Sequence, residues 1–326
     1  MAGKAVRSFG PTGFSDLFKR NAAIFLSYGV VVVLFIVGTA YASGFGSGRN
    51  IRVLALQASF IGITGLGQTL CILTGGIDLS VPWTLTGAAV LTSILANGHA
   101  SRLPQVLLLV LGLAILVGLV NGIGVAYAGV PPIIMTLGMN GTLQGLLLVY
   151  TGGGISSFPP RQLDTWVLAS TIGIPHLLWI WIAVIVVGTG ILSFATLGRK
   201  LYAIGTNRTA SYLAGVNVKR VLVVPYIISA VGAAGAGVLL MGFNTQAFLT
   251  MGDPYLFASA AAVAVGGASI LGGVGNYIGT VAGALVLALL SALLVLFSLG
   301  TGYLLISYGA VLLVAVFVAS LRPSGR

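Results

Sequence analysis

The stretch Leu73-Thr74-Gly75-Gly76-Ile77-Asp78-Leu79-Ser80-Val81-Pro82 interrupts a long apolar region with two glycines, a carboxylate and a proline. The glycine pair predicts the end of one helix, and Asp78 or Ser80 can cap the next helix, with the proline in its first turn. Residues 53–77 and 79–101 contain no Asp, Lys or Arg. Because uncharged apolar runs of this length fit a membrane, the region predicts two spanning helices joined by a break.

The whole chain has a composition typical of a membrane protein. Of its 326 residues, 58% are hydrophobic and 6% are charged, whereas a soluble domain carries roughly 25% charged residues. At about 20 residues per span, the apolar content is enough for about nine or ten helices. We therefore expect an all-α polytopic membrane protein in which residues 1–326 form a single transmembrane domain.

Uncharged runs indicate where the helices lie, since Lys and Arg are costly in hydrocarbon. Ten spans are predicted: one each in 21–48, 53–77, 79–101, 165–198 and 221–252, two in 103–160 and three in 254–321. With an even number, both termini lie on one side, and that side carries eleven of the 15 basic residues. The positive-inside rule makes that side the cytoplasm, so residues 1–20 are expected to form a cytoplasmic N-terminal segment.

The acidic and metal-ligating residues are too few for most catalytic sites. The chain has no glutamate, two histidines and only four acids, which are Asp16, Asp78, Asp164 and Asp253. Paired carboxylates, a zinc site or a proton relay need clusters that this inventory lacks, and the sequence has no P-loop motif for phosphate. We predict no catalytic residue and no metal site. The basic residues flank apolar runs, which argues against a nucleic-acid partner.

Uncharged amide side chains recur inside the predicted spans. They must face another helix or a wet path, because hydrocarbon offers them no hydrogen-bond partner. Two interpretations stay open: the amides join helices, or they line a path for a neutral polyhydroxylated solute. The candidates for a translocation path are Gln68, Asn121, Asn140, Gln144 and Asn244.

A second glycine-rich interruption, at Gly266 and Gly267, resembles the pair Gly75 and Gly76 in the other half of the chain. We predict that these two pairs, together with Asp78, form helix breaks that act as a gate. Asp78 is either a structural cap or a direct participant in transport.

Glycines spaced four residues apart occur in several predicted spans. The pairs are Gly118 with Gly122, Gly141 with Gly145, and Gly279 with Gly283, the last of which Gly275 extends to a double row. This spacing lets two helix backbones approach closely. The contact lies either inside one subunit or between subunits, and the spacing leaves both interpretations open.

Residues 197–220 form the most basic loop of the chain. They carry five of its 15 basic residues, on the side predicted to be cytoplasmic. This segment is therefore the best candidate for docking a cytoplasmic partner.

Several motifs resemble those of the ribose-type permeases of bacterial ATP-binding cassette sugar importers. The resemblance covers nearly the whole chain and is most specific where LTGGIDLS and GRKLYAIG occur together. The matching stretches are residues 67–70, 72–81, 130–132, 136–138, 198–205 with Asn207, 214–218 and 265–267. Where many relatives have Pro-Glu after the asparagine, this chain has Arg208-Thr209.

The resemblance implies two permeases, identical or different, around one central path in the bacterial inner membrane, in contact with membrane lipid. It also implies cytoplasmic ATPase domains on a separate chain, which hold ATP and Mg²⁺, and a periplasmic sugar-binding protein. This chain is then expected to need no cofactor. The inner loop resembles the family's coupling segment, whose short helix would run from about Asn207 to Gly215. The coupling residues so implied are Arg199, Tyr202, Asn207, Arg208, Ser211, Leu213, Gly215 and Val216.

We therefore expect a permease subunit that moves a sugar or related solute by alternating access, and not an enzyme. A branched-chain amino-acid permease is the alternative within transport, since related importers share glycine-rich loops. A membrane-embedded enzyme would need a cluster of acids or histidines near one interface. A passive channel would work without an ATPase.

Overall fold

The computed structural model describes residues 22–155 and 157–321. The predicted N-terminal segment 1–20 and the arginines Arg322 and Arg326 lie outside the described residues. The helices are α1 (Ala22–Tyr41), α2 (Gly48–Leu73), α3 (Val81–Ala96), α4 (Leu103–Ala126), α5 (Pro132–Thr151), α6 (Arg161–Leu168), α7 (His176–Ser193), α8 (Thr196–Thr206), α9 (Arg208–Leu213), α10 (Val218–Asn244), α11 (Tyr255–Val265), α12 (Tyr277–Leu296) and α13 (Thr301–Leu321). A 3₁₀ turn at Ala100–Arg102 precedes α4, and the strands β1 (Ser170–Thr171) and β2 (Ile174–Pro175) form a small antiparallel hairpin.

Seven of these helices are long and apolar enough to cross a membrane, namely α1, α2, α4, α5, α7, α10 and α12. Three shorter apolar helices accompany them: α3, α11 and the Gly302–Val314 part of α13. The predicted all-α polytopic class is confirmed. Two of the short helices, α3 and α11, adjoin the glycine-rich interruptions. They are short because the residues of each interruption are not helical.

Helix α2 is the centre of the bundle. Over its apolar part, 94% of its residues are buried, and it packs against α7, α10, α11 and α12. Glycines make these contacts close, since Gly67 faces the backbone of Ser229 in α10 and Gly62 faces the indole of Trp181 in α7. Neighbouring helices enclose α2 from Ala58 to Leu73 and leave that part almost no surface for lipid.

Two of the three glycine pairs pack inside the chain, where bare backbone meets a neighbouring element. The α4 pair at positions 118 and 122 lies against α10, and the α12 pair at 279 and 283 lies against α11 and the residue that follows it. At Gly141 and Gly145 of α5, by contrast, an added side-chain carbon would meet no described atom within 4 Å. Internal packing therefore accounts for the first two pairs and not for the third.

The two predicted breaks adjoin helices in the structure and touch each other. The first break covers residues 74–80, after α2, and the second covers residues 266–276, after α11. Gly75 and Gly267 have positive φ angles of 77° and 87°, which side chains disfavour. The amide nitrogen of Gly273 donates to the carbonyl oxygen of Leu73 at 2.9 Å. Two interruptions that are far apart in the sequence therefore meet at one point.

Candidate functional site

Helices α8 and α9, within the basic segment 197–220, lie against both breaks. Gly205 makes the closest contact, since an added side-chain carbon there would overlap the carbonyl oxygen of Leu73 and the amide nitrogen of Gly273. Only a glycine lets the segment approach so closely. The end of α8 therefore touches the point where the two breaks meet.

Two side chains of the segment hold one break each. Tyr202 of α8 donates from its hydroxyl to the carbonyl oxygen of Gly275, in the second break, at 2.7 Å. Arg208 of α9 donates from Nη2 to the carbonyl oxygen of Thr74, in the first break, at 3.1 Å. Thr74 ends α2, and the helix dipole favours a cation at this end. A displacement of α8 and α9 would therefore act on both breaks.

Local capping makes α9 a separate short helix. The Asn207 side chain accepts from the amide of Ala210 at 2.9 Å and so caps the N-terminus. Ser211 donates from Oγ to the Asn207 carbonyl oxygen at 2.8 Å. Gly215, with a φ of 82°, ends the helical segment. These residues make α9 a separate helix with a fixed position after α8, and not a continuation of α8.

The remaining coupling candidates differ in their exposure. Val216 is half-buried against the core, and Arg199 donates from Nη1 to the carbonyl oxygen of Phe194 at 3.2 Å. Leu213 is 79% exposed, and its neighbour Tyr212 is 70% exposed. The sequence reasoning missed Tyr212. The sequence feature that could have indicated a contact role for Tyr212 is a large aromatic ring beside a leucine on a helix of only six residues. Neither side chain enters the core.

Asp78 holds the start of α3 through Ser80. Its Oδ1 accepts from the amide of Ser80 at 2.9 Å and from the Ser80 hydroxyl at 2.6 Å. Ser80 is the N-cap residue of α3, and it accepts at Oγ from Nδ2 of Asn121, on α4, at 2.9 Å. Asp78 therefore orients the cap residue, and the amides of the first turn of α3 find other partners.

Helix α5 supplies those partners. Thr136 accepts at Oγ1 from the amide of Leu79 at 3.0 Å, and Asn140 accepts at Oδ1 from the amide of Trp83 at 3.4 Å. Backbone amides at a helix start have no partner within the helix. One face of α5 therefore satisfies groups that the first break leaves free, a role for Thr136 and Asn140 that the sequence pattern did not show.

The five amides predicted for a path do not gather in one place. Gln68 and Asn121 are fully buried, and neither polar atom of the Gln68 side chain has a hydrogen bond within the described residues. Asn244 ends α10 and lines a cavity of about 250 Å³. Gln144 is exposed on α5, one turn after the half-buried Asn140. Asn140 and Gln144 thus lie one turn apart on α5, and Asn121 and Asn140 both bond residues at the start of α3.

The site consists of backbone carbonyls, hydroxyls, amides, one buried carboxylate and the guanidinium group of Arg208. Within residues 22–155 and 157–321, no group of three or more His, Cys, Asp or Glu side chains is placed to hold a metal ion. The cysteine, Cys71, is buried as a free thiol. The groups present can hydrogen-bond to one another, to other helices and to neutral solutes.

The chain matches a protein-family model described as branched-chain amino acid transport system / permease component, over residues 50–321. The ribose import permease protein RbsC of Escherichia coli is 34% identical over 294 residues, which are 88% of this chain and 91% of that protein. The protein of the same name in Bacillus subtilis is 34% identical over 297 residues, 88% of this chain and 89% of that protein. The autoinducer 2 import system permease protein LsrC of Salmonella paratyphi B is 31% identical over 308 residues, 93% of this chain and 87% of that protein. No solved structure matches the chain significantly.

These matches cover both breaks and the segment that holds them. The family model includes α2 to α13, and each relative is matched over most of its own length. Together with the seven apolar helices, they identify a multi-pass protein of the bacterial inner membrane. The chain therefore belongs to the family of permease components of ATP-binding cassette importers that includes the ribose import permeases.

Proposed function

We propose that this chain is the permease subunit of an ATP-driven importer that carries a sugar or a related polyhydroxylated solute across the inner membrane. The relatives that support a sugar are named for the import of ribose and autoinducer 2. The amino-acid alternative has only the general description of the family model in its favour. Amides such as Asn140 and Gln144 donate and accept hydrogen bonds without charge, which suits a neutral solute.

The observation that carries the proposal is the pair of hydrogen bonds from α8 and α9 to the two breaks. ATP hydrolysis takes place on a separate ATPase chain that holds ATP and Mg²⁺, and this chain holds no cofactor. Tyr212 and Leu213 project from α9 and contact that ATPase. When the ATPase pair closes, α8 and α9 move with it and shift both breaks, so that the surrounding helices reorient about the path.

The coupling segment is residues 197–220, and its residues have different tasks. Tyr202 and Arg208 transmit movement to the breaks, while Asn207, Ser211 and Gly215 shape α9. The gate that responds consists of Gly75, Gly76, Asp78, Gly266 and Gly267. Arg199 and Val216 attach the segment to the body of the permease.

A second permease, either a copy of this chain or a different one, packs against α5. Gly141 and Gly145 face open space there, and Gln144 is exposed within a span, where hydrocarbon would leave its amide without a partner. Two α5 helices that face each other enclose a central path flanked by Gln144 and Asn140. Asn121 joins α4 to the start of α3 behind that path, and Gln68 and Asn244 lie on α2 and α10.

The chain crosses the membrane ten times in this proposal. The short helices α3 and α11, extended by the adjoining breaks, and the helix α13 complete crossings beside the seven long helices. Both termini and α8 with α9 face the cytoplasm, which then carries eleven of the 15 basic residues. The loop that contains α6 and the β1–β2 hairpin faces the periplasm, where a sugar-binding protein delivers the solute.

Reconstitution tests the function directly. The permease, its ATPase and its binding protein are placed in liposomes, and uptake is measured for labelled pentoses, hexoses, polyols and leucine. We expect uptake of a sugar or polyol that requires ATP and stops when the ATPase is inactivated. Uptake without ATP would identify a passive channel, and uptake of leucine alone would identify an amino-acid permease.

Variants of Arg208 and Tyr202 test the coupling segment. Arg208→Glu puts a negative charge beside the Thr74 carbonyl oxygen, so we expect the ATPase rate stimulated by the binding protein to fall about fivefold. Tyr202→Phe removes only the hydroxyl that bonds Gly275 and should lower that rate about twofold. Arg49→Glu is the matched control, since it makes the same charge change on an exposed side chain outside the coupling segment. An unchanged stimulated rate in both test variants would contradict the coupling role.

A further inference from the structure

The two oxygens of the buried Asp78 carboxylate have different surroundings. The side chain is only 1% exposed. Oδ1 accepts two hydrogen bonds from Ser80, whereas Oδ2 has no hydrogen bond within residues 22–155 and 157–321. One half of the carboxyl group is therefore satisfied, and the other half needs a partner.

Ser229 of α10 lies beside the Asp78 carboxyl group. It is fully buried, and its Oγ also has no hydrogen bond in the described part of the chain. Its position is fixed by Gly67 of α2, whose bare backbone packs directly on the Ser229 backbone. Two buried oxygens of neighbouring side chains are thus without other partners.

The Ser229 hydroxyl both donates and accepts, so it can donate to an ionised Oδ2 or accept from a protonated one. The protonation state is therefore decided by whether the negative charge is compensated. Backbone amides of the break do not compensate a charge on Oδ2, because Leu79 donates to Thr136 and Trp83 donates to Asn140. Asn121 donates to Ser80 and not to Asp78.

No positive charge compensates Asp78 in the described structure. The groups that act on its carboxyl are Ser80 and Ser229, and no basic side chain is among them. Cys71 of α2 and Tyr226 of α10 are the titratable groups that interact with it, and Arg208 acts on Tyr226 instead. An ionised carboxylate without a cation is strongly disfavoured in such surroundings.

We propose that Asp78 carries a proton at neutral pH and donates it from Oδ2 to Oγ of Ser229. A neutral acid then joins three elements, because Oδ1 holds Ser80 at the start of α3 while Oδ2 holds α10. Asp78 is a positioning residue in this scheme, and the inference that it positions the gate rests on the proposed transport function. The proposed protonation of Asp78 does not depend on the transport function.

The protonation is tested by infrared difference spectroscopy of the purified full-length permease. Asp78→Asn keeps an acceptor for Ser80 and a donor for Ser229, so the two proteins differ chiefly in the carboxyl group. The chain has only three other acids, which keeps the spectrum simple. We expect the wild type minus variant spectrum at pH 7 to show the C=O stretch of a protonated carboxylic acid. Absence of that band would overturn the proposal, whether or not the chain transports sugar.

The pH dependence of stability gives a second readout. Asp78 is ionised in the unfolded chain above about pH 4, so folding takes up a proton, and this contribution to stability declines as the pH rises. The melting temperature of Asp78→Asn should therefore exceed that of the wild type by a margin that grows from about pH 6 to about pH 9. A margin that stays constant would contradict a neutral Asp78.

The positioning role is tested by uptake. We expect Asp78→Asn to retain uptake within about twofold, and Asp78→Ala and Ser229→Ala to lose about fivefold or more, since both break the link to α10. Ser59→Ala is the matched control, because Ser59 is equally buried but donates only to Leu56 in its own helix. Loss of uptake in Asp78→Asn, with the infrared band present in the wild type, would overturn the positioning role alone.

Discussion

Helices α1 and α5 are exposed to the same degree within one subunit, yet they present different surfaces. In the apolar part of each helix, 11% of the residues are buried. Both helices expose aliphatic side chains, such as Val33 on α1 and Val149 on α5, but α5 also exposes Gly141 and Gly145, four residues apart, and the amide of Gln144. Aliphatic groups fill the space beside lipid chains, whereas an exposed amide needs a hydrogen-bond partner and a spaced pair of glycines lets a second helix approach closely. The composition of an exposed face, more than its extent, separates a helix that meets lipid from one that meets a partner.

The largest effect is expected when the same bulky residue is placed on both helices. Gly29 of α1 and Gly141 of α5 are both exposed, and an added side-chain carbon at either would meet no described atom within 4 Å. Gly141→Leu should lower ATP-driven uptake about tenfold or more, because overpacking forces two closely packed helices apart. Uptake in reconstituted liposomes measures this effect.

Gly29→Leu is the control for that substitution and should leave uptake and dimer content unchanged. Cysteine at the same positions reports proximity, since the natural cysteine is buried. If the partner is a second copy, Gly141→Cys should form a disulfide-linked dimer on oxidation and Gly29→Cys should not. Equal effects of leucine at both positions would contradict a partner on α5.

An exchange of polarity between the two helices is expected to have an intermediate effect. Gln144→Leu should lower uptake about threefold, since one amide hydrogen bond in the path or interface is lost, and it should not lower the melting temperature. Val33→Gln should lower the free energy of unfolding by about 1–3 kcal/mol, because it exposes an amide to hydrocarbon, without changing uptake per folded molecule. Lower uptake per folded molecule in Val33→Gln would mean that α1 also meets a partner.

Local chemistry allowed the sequence to predict where helices are interrupted. Gly75 and Gly267 adopt positive φ angles, and such a turn is set by the residue itself and its immediate neighbours. The spacing of Gly141 and Gly145 likewise predicts a small face on α5, although it does not say what covers that face.

Sequence patterns did not predict which distant residues come into contact. Nothing near Leu73 indicates that its carbonyl oxygen bonds Gly273, and nothing in the basic segment indicates that Tyr202 and Arg208 reach different breaks. Such pairs depend on how distant helices pack, which local propensity does not determine. Asn140 shows the same limit, because an amide inside an apolar run reads equally well as part of a path and as a partner for Trp83.

The smallest effect is expected on the inner face of α5, which serves the break rather than a partner. Thr136→Val keeps the shape of the buried side chain but leaves the amide of Leu79 without its partner, so it should lower the free energy of unfolding by about 1 kcal/mol. Thr142→Val is the matched control on the same helix, since the Thr142 hydroxyl is exposed and bonds only to Gly138. Thermal unfolding measures the difference, and uptake per folded molecule should be the same in both variants. If Thr136→Val lowered uptake as strongly as Gly141→Leu, the two faces of α5 would not have separate tasks, and the contrast with α1 would extend to the whole helix.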